Sequence, residues 1–171
     1  CTVSASATVG QPAILNASLS GNPILCNGGT TLVAVSATGG TAPYSGTGIF
    51  TTSGGANSYT VTDANGCTSN GSITIPQPSL LIAGGSSGTV LCNGGTTDVT
   101  VEATGGISPY TGTGIFATGA GTHSYTVTDA NGCETTATVT VSEPDALNVT
   151  VSSGGAIVCS GGTTTATVMA T

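Results

Sequence analysis

Lysine and arginine are absent from all 171 residues, and seven acidic side chains leave the chain with a net charge of -7. A protein without cationic side chains cannot neutralise phosphates and release their counterions, so nucleic acid is excluded as a partner. The same absence removes the basic segment that would hold a protein to an anionic lipid surface. Tryptophan is missing too, aromatic residues make up 4% of the chain, and there is one histidine. No apolar run approaches the ~20 residues needed to cross a bilayer, and no signal-peptide pattern opens the chain. No membrane insertion is therefore expected in this segment.

What is present is repetition. Cys26-Asn27-Gly28-Gly29-Thr30-Thr31 returns as Cys92-Asn93-Gly94-Gly95-Thr96-Thr97, and a third copy opens at Cys159-Ser160-Gly161-Gly162-Thr163-Thr164. The three cysteines lie 66 and 67 positions apart. Tyr59 to Cys67 returns residue for residue as Tyr125 to Cys133, and Cys1 with Gln11-Pro12 aligns on Cys67 with Gln77-Pro78. Self-similarity at this period marks a tandem array, and no capping departures are visible at either end, so the expectation is a window on a longer array. Joining the ends head to tail would still omit the middle of the motif, which disfavours completion of a domain by a strand from another subunit.

Apolar and polar residues alternate in Val99-Thr100-Val101-Glu102-Ala103, in Tyr125-Thr126-Val127-Thr128 and in Val139-Thr140-Val141. That period of two belongs to strands buried on one face. The first copy keeps the phase with Val33, Val35 and Ala37, then Tyr59 and Val61, then Ile73 and Ile75. β-Branched residues dominate these runs, and Gly-Gly, Asn-Gly and Pro-Tyr separate them, so no helix is expected. In the second copy the predicted strands are A from Leu81 (Leu147 in the third), B over Thr97 to Thr104, C over Pro109 to Gly112, E over Gly114 to Thr118, F over Ser124 to Asp129 and G over Thr135 to Val141. The predicted fold class is all-β, as tandem immunoglobulin-like β-sandwich repeats of about 66 residues. The predicted domains are 12–77 and 78–144, with 1–11 as the last strand of a preceding repeat and 145–171 as the first strands of a following one.

The motifs Cys-Asn-Gly-Gly-Thr, Ala-Thr-Gly-Gly followed by Pro-Tyr (residues 103 to 110) and Tyr-Thr-Val-Thr-Asp-Ala-Asn-Gly-Cys resemble the SprB-type repeats of Bacteroidota cell-surface adhesins and filament proteins. The resemblance covers both full and both partial copies. It implies a cell-surface or extracellular adhesin or filament, offers no catalytic residues and names no ligand.

Cys1, Cys26, Cys67, Cys92, Cys133 and Cys159 stand at fixed places in the repeat without the short spacings of a zinc site, which predicts disulfides and an oxidising compartment. In an immunoglobulin-like sandwich B and F run parallel, which sets Cys26 and Cys67 at opposite ends of one domain. Eight strand residues span roughly 25 Å, whereas a disulfide needs Cα atoms within about 7 Å. Head-to-tail stacking instead brings Cys26 to Cys133. By the same logic Cys92 and Cys159 would take partners on the C-terminal side, and Cys1 and Cys67 on the N-terminal side. The competing arrangement pairs Cys26 with Cys67 and Cys92 with Cys133 inside each domain. Pairing Cys67 with Cys92 would need G and A to fold back on each other.

Few other residues carry chemistry. Asp63 with Asn65, and Asp129 with Asn131, offer oxygens in a tight turn and are the candidate weak calcium ligands, although calcium takes six to eight oxygens and Asn-Gly is also the commonest tight-turn pair. No other cofactor is expected. Tyr44 and Tyr110 follow Pro43 and Pro109 and are candidate ligand-binding rings, with buried anchoring as the alternative. Phe50 and Phe116 are assigned to the core. Asn16, Asn70 and Asn148 lie in Asn-X-Ser/Thr sequons. His123 takes the place of Asn57, so no Ser, His and Asp arrangement can repeat, and Asp98 and Glu102 replace Leu32 and Ser36 on an outward strand face. Enzyme activity is therefore not expected.

Two functions remain. The first is the structural shaft of an extracellular, cell-surface fibre, filament or adhesin stalk, whose partners are copies of itself or neighbouring repeats, with no Lys or Arg for trypsin-like proteases to cut. The second is an adhesion module that binds carbohydrate, such as surface glycans, or another surface. Thr-rich strands without edge lysines and a positive mean hydropathy also make lateral or end-to-end assembly an expectation.

Overall fold

The computed structural model describes residues 1–171 and is all-β, with twelve strands and no helix. In the first repeat copy β1 (Asn16–Gly21), β2 (Thr30–Thr38) and β3 (Gly48–Ser53) form one antiparallel sheet in the order β1-β2-β3. Strands β4 (Gly55–Thr62) and β5 (Thr68–Ile75) pair antiparallel in another. The second copy repeats this with β6 (Ile82–Ser87), β7 (Thr96–Thr104) and β8 (Gly114–Gly119) in one sheet, and β9 (Gly121–Thr128) with β10 (Glu134–Val141) in another. A hairpin of β11 (Val149–Ser153) and β12 (Ala166–Ala170) follows.

Two compact units are formed. One comprises Cys1–Ile82 together with the loop segments Thr104–Tyr110 and Thr128–Glu134, and the other Ala83–Ala103, Thr111–Val127 and Thr135–Thr171. The first unit therefore includes two turns that belong, by sequence, to the second repeat copy.

Within the first unit the period-2 pattern of β2 translates directly into packing. Val33 and Val35 point inward and are buried, while Leu32, Ala34 and Ser36 between them face outward. From the facing sheet Val61 and Ile75 close onto them, with Ile24 at the margin and Leu15, Leu19, Tyr59 and Ile73 packed around. The result is a two-layer sandwich with one core. Each fully buried Val or Ile contributes about 1.5–3 kcal/mol over its exposed state, which offsets the backbone ordering of so small a domain. In the second unit Val90, Val99, Val101, Val127, Ala137, Val139 and Val141 are buried. The register carries over as well, since Val33 opposes Phe50 and Val99 opposes Phe116.

Two expectations need correction. Strand C, predicted over Pro109 to Gly112, is not a strand: Thr111 is a lone bridge residue there, and at the equivalent place in the first copy a single bridge remains, in which Ser45 and Thr62 exchange N–H···O bonds of 2.8 and 3.0 Å. Pro43 just before it has no N–H to donate, and the positive φ of Gly46 turns the chain away directly after it. The phenylalanines are not central core either. Phe50 lies opposite the buried Val33 but on the edge strand β3 and remains 36% exposed, with the Tyr59 ring beside it at a centroid distance of 5.2 Å. Phe116 stacks on Tyr125 in the same way at 5.0 Å.

Candidate functional site

Gly39-Gly40 ends β2 and sets the stage for the recurrent turn at Asp63. Gly39 has φ +74, and a Cβ there would run into the carbonyl of Ile14, so only glycine fits. Gly40 lies beside the Asp63 carboxylate, 2.7 Å from where its own Cβ would stand. The backbone thereby comes close enough for the N–H of Thr41 to donate to Asp63 Oδ2 at 2.9 Å. Asp63 Oδ1 accepts from the amides of Asn65 and Cys67, each at 2.9 Å, and the Asp63 amide donates to the Cys67 carbonyl. The second copy reproduces the set. Asp129 Oδ2 accepts from Ile107, and Oδ1 from Asn131 and Cys133, all at 2.9 Å.

Both aspartates are buried. The Thr41 amide, more than any other influence, holds the Asp63 carboxyl below its ordinary value against the desolvation of burial, with the amides of Cys67 and Asn65 assisting. At Asp129 burial pushes upward most strongly, but the amides of Ile107, Cys133, Asn131 and Gly132 together outweigh it and the net direction is down. Three N–H dipoles converge where a cation would approach these oxygens, so the geometry is that of a carboxylate closing a turn. No group of three or more His, Cys, Asp or Glu side chains is assembled anywhere in the chain. Asn65, the second candidate calcium ligand of the first copy, turns its side-chain amide to Thr41 Oγ1 at 3.0 Å.

The tyrosines serve the same corner. Tyr44 Oη donates to the Gly39 carbonyl and Tyr110 Oη to that of Gly105, both at 2.6 Å, with the rings partly buried. Each hydroxyl is engaged inside its own loop. His123 lies 3.1 Å from the carbonyl of Gly119, and Asp98 and Glu102 stand on the outer face of β7.

The structure joins the two repeat copies at one point inside the first compact unit. Cys26, just before β2, is bonded to Cys133, just after β9, with Cα atoms 5.6 Å apart and 107 positions between them in the sequence. Cys1, Cys67, Cys92 and Cys159 are free and exposed. Beside the bond Asn131 Nδ2 donates to the Leu25 carbonyl at 2.9 Å. Cys133 Sγ also lies 3.4 Å from that carbonyl, but a disulfide sulfur carries no proton, so this is a packing contact. Pro23, Leu25, Pro78 and Ile107 line an open, largely apolar depression of about 300 Å³ at the same place. A second open groove of about 330 Å³ runs along Cys26, Leu80, Leu81 and Cys133.

The bonded corner is braced from its own side. Asn27 Nδ2 donates to the Pro78 carbonyl at 2.9 Å, and Gly28 N–H to Gln77 Oε1 at 3.1 Å. Sequence reasoning did not single out Asn131 as a joint residue, nor the Asn27 and Gln77 brace. The signal was available in the recurrence of Cys-Asn-Gly-Gly and of Gln-Pro or Glu-Pro, which served for alignment only. No protein-family model, curated protein or solved structure matches this chain.

Proposed function

We propose that this chain is part of the shaft of an extracellular, cell-surface fibre, filament or adhesin stalk, built from immunoglobulin-like sandwiches that are stapled copy to copy. The Cys26–Cys133 bond carries this reading. A disulfide is a bond of oxidising compartments, and here it ties one repeat copy to the next. A repeat array whose copies meet only through short linkers bends and extends at each one. With a covalent staple across the joint, tension passes through the bond before it reaches the linker, and the strands between Cys26 and Cys133 are shielded from it. Cell-surface placement and the likeness to SprB-type repeats belong to the same proposal. So does the absence of an enzymatic role.

Pulling single chains from their ends tests the reading. In the oxidised chain the 107 positions between Cys26 and Cys133 cannot lengthen, whereas reduction releases them and adds roughly 350 Å of contour at about 3.3–3.6 Å per residue. Equal extension with and without reductant would sink the proposal. The carbohydrate-binding alternative ranks second, because the tyrosine hydroxyls that would mark a sugar site are engaged with Gly39 and Gly105. Specific retention of the chain by surface polysaccharides would raise it.

A further inference from the structure

Asn-Gly occurs four times, at Asn27-Gly28, Asn65-Gly66, Asn93-Gly94 and Asn131-Gly132. Such a pair is chemically labile, because the glycine amide nitrogen, unhindered by a neighbouring Cβ, can attack the asparagine side-chain carbonyl carbon when the two are brought into line. Each attacking nitrogen is already engaged. The amides of Gly28 and Gly94 donate to Gln77 Oε1 at 3.1 Å and to Glu143 Oε2 at 2.5 Å. Those of Gly66 and Gly132 donate to the Asp63 and Asp129 carbonyls, both at 3.0 Å.

The asparagine side chains are tied as well, and here one differs from the rest. Asn27 and Asn93 donate to the carbonyls of Pro78 and Pro144, and Asn65 donates to Thr41 Oγ1 in its own loop pair. Asn131 instead donates across the Cys26–Cys133 joint to the Leu25 carbonyl, 106 positions away. Its local substitute is missing, because residue 107 is isoleucine where the first copy has Thr41. The tie on Asn131 therefore lasts only as long as the joint is closed.

We infer that Asn131-Gly132 is a deamidation site gated by the Cys26–Cys133 joint, and that its deamidation leaves a permanent mark of the joint having opened. The inference goes beyond the shaft reading, since it uses the geometry of the joint and not the purpose of the array. Opening begins when an external dithiol exchanges with the disulfide, leaving Cys26 and Cys133 as thiols and the dithiol as a cyclic disulfide. Gly132 N then loses its proton to solvent and bonds to Asn131 Cγ. The Cγ–Nδ2 bond breaks, and Nδ2 takes up a proton and leaves as ammonia. Water adds to either carbonyl of the resulting succinimide and breaks its ring C–N bond, which gives aspartate or isoaspartate. One water is consumed for each ammonia released. Isoaspartate inserts an extra carbon into the main chain two positions before Cys133, inside the turn that Asp129 closes through the amides of Asn131 and Cys133. The turn that presents Cys133 to Cys26 is thereby lengthened and cannot return to its original shape.

The experiment incubates the 171-residue chain in mildly alkaline buffer, unreduced and with dithiothreitol. Chymotrypsin, which cuts after Leu25, Tyr59, Leu91 and Tyr125, separates the Asn-Gly pairs, and tandem mass spectrometry reads the deamidated fraction at each. Reduction should speed deamidation at Asn131 at least about twofold, the share that a single exposed hydrogen bond withholds, with the staple's hold on Cys133 adding to it. Asn27, Asn65 and Asn93 should keep their unreduced rates. Ile107→Thr should restore protection of Asn131 in the reduced chain, and Thr41→Ile should expose Asn65 with or without reductant. Equal acceleration at every Asn-Gly pair, or none at Asn131 after verified loss of the Cys26–Cys133 bond, would overturn the inference alone. Absence of that bond from the unreduced chain would overturn the shaft reading as well.

Discussion

Asn131 donates its side-chain amide to the carbonyl of Leu25, 2.9 Å away and 106 positions earlier in the chain. It lies beside the Cys26–Cys133 staple and joins the two copies, and both groups are exposed to water. Asn131→Ala should therefore cost little in the oxidised chain, about 0.5 kcal/mol, at the low end for a hydrogen bond that water can replace. Urea unfolding of the first compact unit measures this. A loss of several kcal/mol would mean that the amide, and not the disulfide, orders the joint.

Asp129→Asn should destabilise its turn and flatten the acid limb of stability. The carboxyl is held below its ordinary value of 3.8, first against burial and then by the amides of Ile107, Cys133, Asn131 and Gly132. The folded pKa lies below the unfolded one, so the contribution of Asp129 is fully present above about pH 4 and is lost as pH falls through the folded value. Unfolding midpoints recorded from pH 6 down to about pH 2 should converge for the two proteins at the acid end, and parallel curves would refute this. In the same assay a calcium chelator should leave the midpoint in place. A chelator-sensitive midpoint would return calcium to Asp63, Asn65, Asp129 and Asn131.

Gly39→Ala tests the close approach of the backbone behind Asp63. With φ at +74 and the Ile14 carbonyl where a Cβ would stand, the left-handed conformation alone costs about 1–2 kcal/mol, and the overlap adds to it. Because Tyr44 Oη bonds to the Gly39 carbonyl, the change should also alter the near-ultraviolet circular dichroism of the tyrosines. A variant as stable as the parent would show that this turn has room to move.

Adjacent positions of β2 should respond in opposite ways. Leu32 faces outward, and the second copy carries Asp98 in the same register, opposite Ala117 as Leu32 is opposite Thr51. Leu32→Asp should change stability by no more than about 0.5 kcal/mol. Val33 is 0% exposed, so Val33→Asp buries a carboxylate in a chain without Lys or Arg to pair it and should prevent folding of the first sandwich. Equal effects at the two positions, read by denaturant titration, would show that the register is wrong.

Much of the fold was legible because its signals are local. Alternation in Val33, Val35 and Ala37 names the inward face of β2 without reference to any partner, since successive side chains of a strand leave on opposite sides. Strand C was over-read, because the bulky pair Pro109-Tyr110 suggests a strand, while Pro109 lacks a donor and Tyr110 turns its hydroxyl to Gly105. Phe50 was over-read for a related reason. Its hydrophobicity favours the core, but on edge strand β3 it lies beside Tyr59 and stays 36% exposed.

The amino-acid sequence by itself determined the repeat, the strands and their inward faces, and the oxidising chemistry of the cysteines. Each of these follows from composition or from spacing over a few residues. Only the tertiary structure decided that Cys26 bonds Cys133, that Asn131 reaches Leu25 while Asn65 stays with Thr41, and that the aspartates close turns with three backbone amides each. These choices depend on which surfaces, more than a hundred positions apart in the case of the joint, are brought within bonding distance. A period-2 pattern fixes which way a side chain points and carries no information about what it meets.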